Sequence, residues 1–341
     1  MKVFFLTTFA LVAFAFNSIL CRMALGSSEI DAAGFTVVRL VAGAATLIVI
    51  SLLCTSPRVS KGDNGMLNVS TLLTRGLLQH GSWPSAFFLF AYAICFSFAY
   101  LGLTTATGAL ILFGCVQMTM IGMAIINGST PTMLEWLGLA VAVCGLVYMV
   151  FPGLSSPPLP SSLLMAAAGV AWGFYTLRGK GSNNPLADTT GNFVRSVPMV
   201  IVAAIPFLSE LHLSSRGIIL AILSGSVASG IGYTVWYAAL KYHTSTRAAV
   251  LQLSVPVIAA GGGVLFLSET ADMRLLIAAA LILGGIALTI AGKSKVFVGL
   301  IFELIVRHHF DWVDRGGAPC GIDGADQAAA DGDGDGPRHP A

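Results

Sequence analysis

The chain has 341 residues, 56% of them hydrophobic and 10% charged, with a mean hydropathy of +0.84. Soluble domains carry about 25% charged residues, so a soluble globular protein is excluded. Eighteen Lys and Arg against sixteen Asp and Glu leave a formal charge of +2, too little for a basic surface that holds nucleic acid. The charge is unevenly placed: residues 296–341 are net −5 and residues 1–295 net +7, which separates an apolar body from an acidic tail. Five of the six cysteines, Cys21, Cys54, Cys95, Cys115 and Cys144, lie inside apolar runs without CxxC spacing, a pattern of packing thiols rather than of a disulfide framework.

The first segment, MKVFFLTTFALVAFAFNSILC, has the basic start and apolar core of a secretory signal, but the run continues to about Leu25 without an A-x-A-like cleavage site. Bulky Ile19 and Leu20 before Cys21 also disfavour lipoprotein cleavage, so the segment reads as a retained span. A window of about 20 apolar residues per span predicts ten helices, at 3–24, 32–54, 83–104, 107–127, 133–151, 160–178, 188–208, 217–240, 246–267 and 273–292. Long unbroken apolar runs favour helices over alternating barrel strands. Most connections are short and rich in Gly, Pro, Ser or Asn; 55–82 is long and basic, with a short interfacial helix expected at 66–80.

Counting Lys and Arg near the span ends sets the expected orientation. With a cytoplasmic N-terminus the inner side holds ten (Lys2, Arg58, Lys61, Arg75, Arg178, Lys180, Lys241, Arg247, Lys293, Lys295) and the outer side three (Arg22, Arg216, Arg274). Both termini then lie inside, on a cell membrane of the bacterial inner-membrane type.

The two halves repeat. AFNSILCRMAL (15–25) aligns with AWGFYTLRGKG (171–181), setting Arg22 opposite Arg178, and FTVVRL (35–40) aligns with NFVRSV, setting Arg39 opposite Arg195. AYLGL then matches WYAAL, TGAL matches TRAA, and VCGLVYM matches LGGIALT, in the same order. Five spans per half is an odd number, so the copies insert with opposite orientation, the inverted-repeat plan of secondary transporters. The expected fold class is an all-α membrane protein of ten transmembrane helices in two inverted five-helix repeats, residues 1–151 and 152–293. Residues 294–341 follow as an amphipathic cytoplasmic segment and a disordered acidic tail.

With this plan, the aromatic-small-polar turn in the first span of each half, and LFLSET before a last span containing LILGGIAL, the chain resembles the EamA-type family of the drug/metabolite transporter superfamily. It departs from the family pattern at Phe16-Asn17, where many members show Trp-Gly, and at Gln117, which aligns with Pro256 of the second half. The resemblance implies a ten-helix transporter or exporter of small organic metabolites such as amino acids. By resemblance and repeat position, Asn17, Ser18, Gln117, Trp172 and Tyr175 complete a pocket.

Polar groups within the hydrocarbon are costly and normally face a cavity or a partner. Arg39 and Arg195 each lie about two turns inside a span, one toward each leaflet. They read either as attractors of a carboxylate-bearing substrate or as residues that snorkel or pair with Asp31 and Asp188. Pro256 frees the carbonyl of Gln252, whose own amide lies at nearly the same depth, so this kink either opens polar backbone to a cavity or is satisfied by neighbouring helices. Trp172, Tyr233, Trp236 and Tyr237 read as substrate contacts or as lipid and helix packing.

All eight body carboxylates lie in loops or at span ends, so no Asp/Glu proton relay crosses the midplane, and Glu269 reads as a structural end cap. All six histidines lie outside the apolar cores, and HExxH, GxSxG and GxxxxGK[ST] are absent. Enzymatic and ATP-driven chemistry, and any bound cofactor or metal, are therefore unsupported. GDGDG in the tail lacks the EF-hand spacing. The implied partners are a small-molecule metabolite and the lipid bilayer. The small pairs Ala140/Cys144 and Ala280/Gly284 leave an intrachain contact and a homodimer as alternatives. A non-transporting scaffold or receptor-like protein remains the other functional class.

Overall fold

In lipid a backbone must satisfy its own hydrogen bonds, and this chain does so with helices. A computed structural model describes residues 2–54, 80–128, 132–151, 156–243, 248, 251–252, 254–270 and 272–293. Among these the structure is helical, apart from an isolated antiparallel bridge between Ile30 and Leu213. The helix expected at 66–80 and the C-terminal tail lie outside the described residues.

The helices are α1 (Lys2–Gly26), α2 (Ala32–Cys54), α3 (Trp83–Ala99), α4 (Thr105–Ile126) and α5 (Met133–Val150). There follow α6 (Leu159–Gly179), α7 (Pro185–Ala204, prolonged by a 3-10 turn over Ile205–Glu210), α8 (Ser215–Leu240), α9 (Ser254–Leu267) and α10 (Met273–Lys293). Five of them, α1, α2, α4, α7 with its extension, and α8, are long and apolar enough to cross a membrane, whereas α3, α5, α9 and α10 contribute shorter apolar stretches. The spans are thus less uniform than expected; α6 has spanning length but carries Ser161, Ser162, Thr176 and Arg178.

Helix starts follow their capping residues. Ser82, Thr104 and Ser214 accept from the amides of Ser85, Thr107 and Gly217, and Thr132 forms a reciprocal capping box with Glu135. The third helix ends at Ala99 rather than at 104 because Thr104 already caps α4, which leaves Tyr100–Leu103 as the turn.

Packing runs between elements distant in sequence. Helix α1 packs on α8 and α9, α6 on α3 and α4, α2 on α7 and α8, α3 on α7, α4 on α9, and α5 on α10. The α5–α10 contact is made by Gly138, Ala142 and Gly145 against Ile282 and Gly285. Ala140, Cys144, Ala280 and Gly284 lie on the exposed faces, so those small pairs do not form the intrachain contact. The perimeter is apolar, with Phe5, Leu53, Trp83, Ile126 and Leu265 exposed, as a surface solvated by lipid requires.

Helix α8 is not regular. Ser224–Ile231, SGSVASGI, forms a π-helical segment, a local widening frequent at functional positions. Its small residues let α2 and α8 touch backbone to backbone: a Cβ on Gly225 would collide with the Arg39 carbonyl oxygen, and one on Gly43 with the Gly225 carbonyl oxygen. Since the obstacle at Gly225 is backbone, Gly225→Ala must push the helices apart, an overpacking cost of about 1–3 kcal/mol. The expected result is a lower melting temperature of the purified protein, measured by tryptophan fluorescence; an unchanged melting temperature would show that the crossing is looser than described.

Candidate functional site

Arg39 sits seven residues into α2, about 10 Å along the axis at 1.5 Å per residue. It does not snorkel: it is 1% exposed. Its Nε donates to Ser229 Oγ at 3.1 Å, and its Nη2 donates to Tyr233 OH at 2.8 Å and Tyr92 OH at 3.2 Å. None of these partners is a carboxylate, so Asp31 does not neutralise it. The guanidinium carbon stands 5.2 Å from the Tyr92 ring centroid and 5.1 Å from that of Phe96, which supply partial cation–π compensation. A central Arg costs roughly 2.5–3.5 kcal/mol on insertion scales, so this arrangement is a standing expense of the fold.

The network extends across the helices. Asn17 donates through Nδ2 to Tyr92 OH at 2.9 Å and accepts from Ser224 Oγ at 2.6 Å, while Tyr233 OH donates to Tyr92 OH at 3.2 Å. Ser224 and Ser229 both belong to the π segment, which brings two hydroxyls of α8 into the same network as α1 and α2.

Aromatic rings form the adjoining wall. Phe14 makes edge contacts with Trp172, Tyr233 and Trp236 at 5.4, 5.8 and 5.6 Å between centroids, and Trp172 lies 4.5 Å from Tyr233 and 5.0 Å from Tyr92. Tyr175 continues the wall 5.5 Å from Trp172, and Tyr237 OH donates to its carbonyl at 2.8 Å. Phe14, Asn17, Tyr92, Phe96, Leu112, Phe113, Trp172 and Tyr233 enclose a void with room for about one water, so the centre is occluded.

The chamber's polar balance leans toward donors. Tyr92 OH is the target of three donors, and Arg39 Nη1, Trp172 Nε1 and Trp236 Nε1 are buried without an acceptor. These three unmatched atoms are donors, and Tyr175 OH, also buried without a partner, can donate or accept. The side chain of Gln252, fully buried just ahead of α9, lacks partners at both amide atoms. Gln117 and Pro256 are also buried, and Ser18 is buried on α1. Arg195 lies apart from this centre, its Nη1 donating to His80 O at 2.7 Å and Gly191 O at 3.0 Å.

Both ends of the chamber are latched by loop pairs. At one end Asp31 Oδ2 accepts from His212 N at 3.0 Å, Glu29 Oε2 accepts from Ser214 Oγ at 2.6 Å, and Arg216 pairs with Glu29 at 3.4 Å. Nearby, Glu269 accepts from Thr105 N at 2.9 and 3.0 Å and pairs with Arg22 at 3.5 Å. It is thus an end cap, as expected, but of α4 rather than of the helix that follows it. At the other end Asp188 Oδ1 accepts from Gly81 N at 3.1 Å and Asn192 Oδ1 from Ser82 N at 2.9 Å, with His80 Nδ1 3.4 Å from Asp188. Gly81 takes φ +76°, which a side chain would strain.

A family profile of EamA-like transporters matches residues 159–291. An uncharacterized protein of Pseudomonas aeruginosa is 42% identical over 288 residues, covering 84% of this chain and 94% of its own length. The chain belongs to the EamA-like transporter family. This EamA-like protein is therefore a multi-pass membrane protein of a transporter family, not of an enzyme family. A solved crystal structure of a protein with 18% identity superposes with a TM-score of 0.55, over 82% of this chain and 95% of the other, a likeness of fold alone.

In this EamA-like protein six of the residues singled out from sequence meet in one chamber: Asn17, Arg39, Trp172, Tyr175, Tyr233 and Trp236. Sequence reading missed Phe14, Tyr92, Phe96, Ser224 and Ser229. A usable signal existed for Tyr92, a tyrosine within the apolar run FLFAYAICF, and for the serines in SGSVASG.

Proposed function

We propose that the protein is a secondary transporter, exporter or facilitator, of small carboxylate-bearing metabolites, amino acids among them, working by alternating access around the Arg39 chamber. The observation that carries this reading is the fully buried guanidinium, without a carboxylate partner, beside an aromatic wall in which Arg39 Nη1, Trp172 Nε1 and Trp236 Nε1 are donors without acceptors. A carboxylate supplies the missing acceptors and charge. The aromatic faces of Phe14, Trp172 and Tyr233 accommodate apolar groups or, through cation–π attraction, an ammonium. Gln117, Gln252, Pro256 and Ser18 flank the path on α1, α4 and the ninth span, and Arg195 stabilises the latch at the mouth opposite to that nearest Arg39.

The two halves, 1–151 and 152–293, act as inverted repeats. Exchanging α1–α5 for α6–α10 turns the α1–α8 contact into α6–α3, α1–α9 into α6–α4 and α2–α8 into α7–α3, and it leaves α2–α7, α4–α9 and α5–α10 in place. Such exchange symmetry supports a pair of mirrored states in which one latch opens while the other holds. With the basic loops cytoplasmic, Asp188 marks the inner latch and Asp31 the outer, in a bacterial inner membrane. The exposed Ala140/Cys144 and Ala280/Gly284 faces are available to lipid or to a second copy.

Alternating access is tested by locking one latch. A Glu29→Cys/Ser214→Cys variant bridged by a short bis-methanethiosulfonate, which forms reducible disulfides, is expected to lose flux in proteoliposomes and to regain it on reduction, with the wild type and each single substitution, which carry the native cysteines, unaffected by the reagent. Undiminished flux through the bridged protein would contradict outer-latch opening.

A further inference from the structure

One break in the repeat symmetry concerns the arginines that end the first helix of each half. Arg22 and Arg178 occupy equivalent positions, yet Arg22 is paired with the Glu269 carboxylate. In the register that aligns Gln117 with Pro256, the counterpart of Glu269 is Thr130, which offers no carboxylate. Arg178 instead donates through Nε to Ser85 Oγ at 3.0 Å and, more weakly, through Nη2 to Ser82 Oγ at 3.5 Å. It lines a cavity of about 370 Å³ together with Ser85, Ser182, Asp188 and Asn192. Against the occluded central chamber this is open space, large enough for a small metabolite.

Asp188 shares that cavity. Its oxygens accept from Gly81 N and from Ser182 Oγ and lie near His80, and a carboxylate retains acceptor capacity beyond those contacts. The lining therefore presents one guanidinium and one carboxylate within a single polar cavity. A bare anion meets Asp188 unfavourably and a bare cation meets Arg178 unfavourably; a molecule bearing both charges satisfies the two. We infer that the mouth between α3, α6 and α7 is a loading site for small zwitterions, the carboxylate of an amino-carboxylate facing Arg178 and its ammonium facing Asp188, ahead of transfer to Arg39. The inference rests on the proposed transport of carboxylate-bearing metabolites and adds a second, separate site. Because Arg178 and Asp188 address only the substituents of the α-carbon, L-alanine is a sufficient probe.

The test is saturation-transfer NMR on the full chain in nanodiscs, with L-alanine, propanoate and ethylamine as probes. In Arg39→Gln protein, where the central site is disabled, L-alanine is expected to bind about ten-fold more tightly than either singly charged analogue, the ratio of one charge-assisted contact. Binding is expected to vanish in Arg39→Gln/Arg178→Gln, to weaken in Arg39→Gln/Asp188→Asn, and to be partly retained in Arg39→Gln/Arg178→Lys. Binding by the wild type but not by Arg39→Gln would overturn the loading site and leave the central one standing. Binding lost on Arg178→Gln alone and unaffected by Arg39→Gln would uphold the loading site and remove the central one. Equal binding of the three probes, or no binding of L-alanine by the wild type, would overturn zwitterion selection.

Discussion

Arg39→Met is expected to abolish transport, by at least a hundred-fold, while leaving the melting temperature of the purified protein unchanged or higher. The two halves of that expectation have one cause. A buried guanidinium whose partners are three neutral hydroxyls and two aromatic faces costs the apo fold its desolvation, and replacing a buried charge by an apolar side chain of similar length is often neutral or stabilising. Tyr92, Tyr233 and Asn17 retain their bonds to one another after the change. The substrate, by contrast, loses its charge-assisted contacts in a dry chamber, each worth about 1.5–3 kcal/mol; two such contacts suffice for a loss of a hundred-fold. Arg39→Lys, which keeps charge but not the planar fork, is expected to fall between. Parallel loss of melting temperature and flux in Arg39→Met would instead make Arg39 a folding residue, and flux at the wild-type rate would remove it from the site.

Glu269→Ala carries the second large effect, on stability. Glu269 is 12% exposed and Arg22 25% exposed, and the carboxylate joins α1, α4 and the end of α9 through Thr105 N, Thr105 Oγ and Arg22. Truncation leaves the first amide of α4 uncapped and Arg22 with only the Tyr100 carbonyl, 3.1 Å from its Nη1. Partial exposure discounts the ion pair, and the lost cap and hydrogen bonds bring the expected cost to about 2–3 kcal/mol. A double-mutant cycle with Arg22→Met is expected to give a coupling near 1 kcal/mol. Additive losses would show that Glu269 acts through Thr105 alone.

The spans were legible because apolar runs of spanning length and capping residues are local signals. Ser82, Thr104, Thr132 and Ser214 mark helix starts within a residue or two of the hydropathy edges. The π segment was not legible, since SGSVASGI is compatible with ordinary helix and widens where α2 presses its backbone against Gly225. Arg39 stood out as a charge in an apolar run, but its partners come from α3 and α8, and no spacing along the chain encodes that meeting. The same gap between face and spacing accounts for Ala140 and Cys144: they are small, yet Gly138, Ala142 and Gly145 are the residues turned to α10. For Glu269, the sequence identified an end cap and the fold decided which helix it caps.

The central claim is that a carboxylate-bearing metabolite crosses the bilayer through the Arg39 chamber. It is tested most directly by counterflow in proteoliposomes, with a pooled panel of amino acids, organic acids and nucleosides, comparing wild type, Arg39→Met and empty vesicles. The account predicts saturable, trans-stimulated flux of at least one carboxylate-bearing solute through the wild type and flux at the empty-vesicle level through Arg39→Met. Flux confined to nucleosides, flux that Arg39→Met leaves intact, or no flux through folded wild-type protein would contradict it, the last in favour of a scaffold.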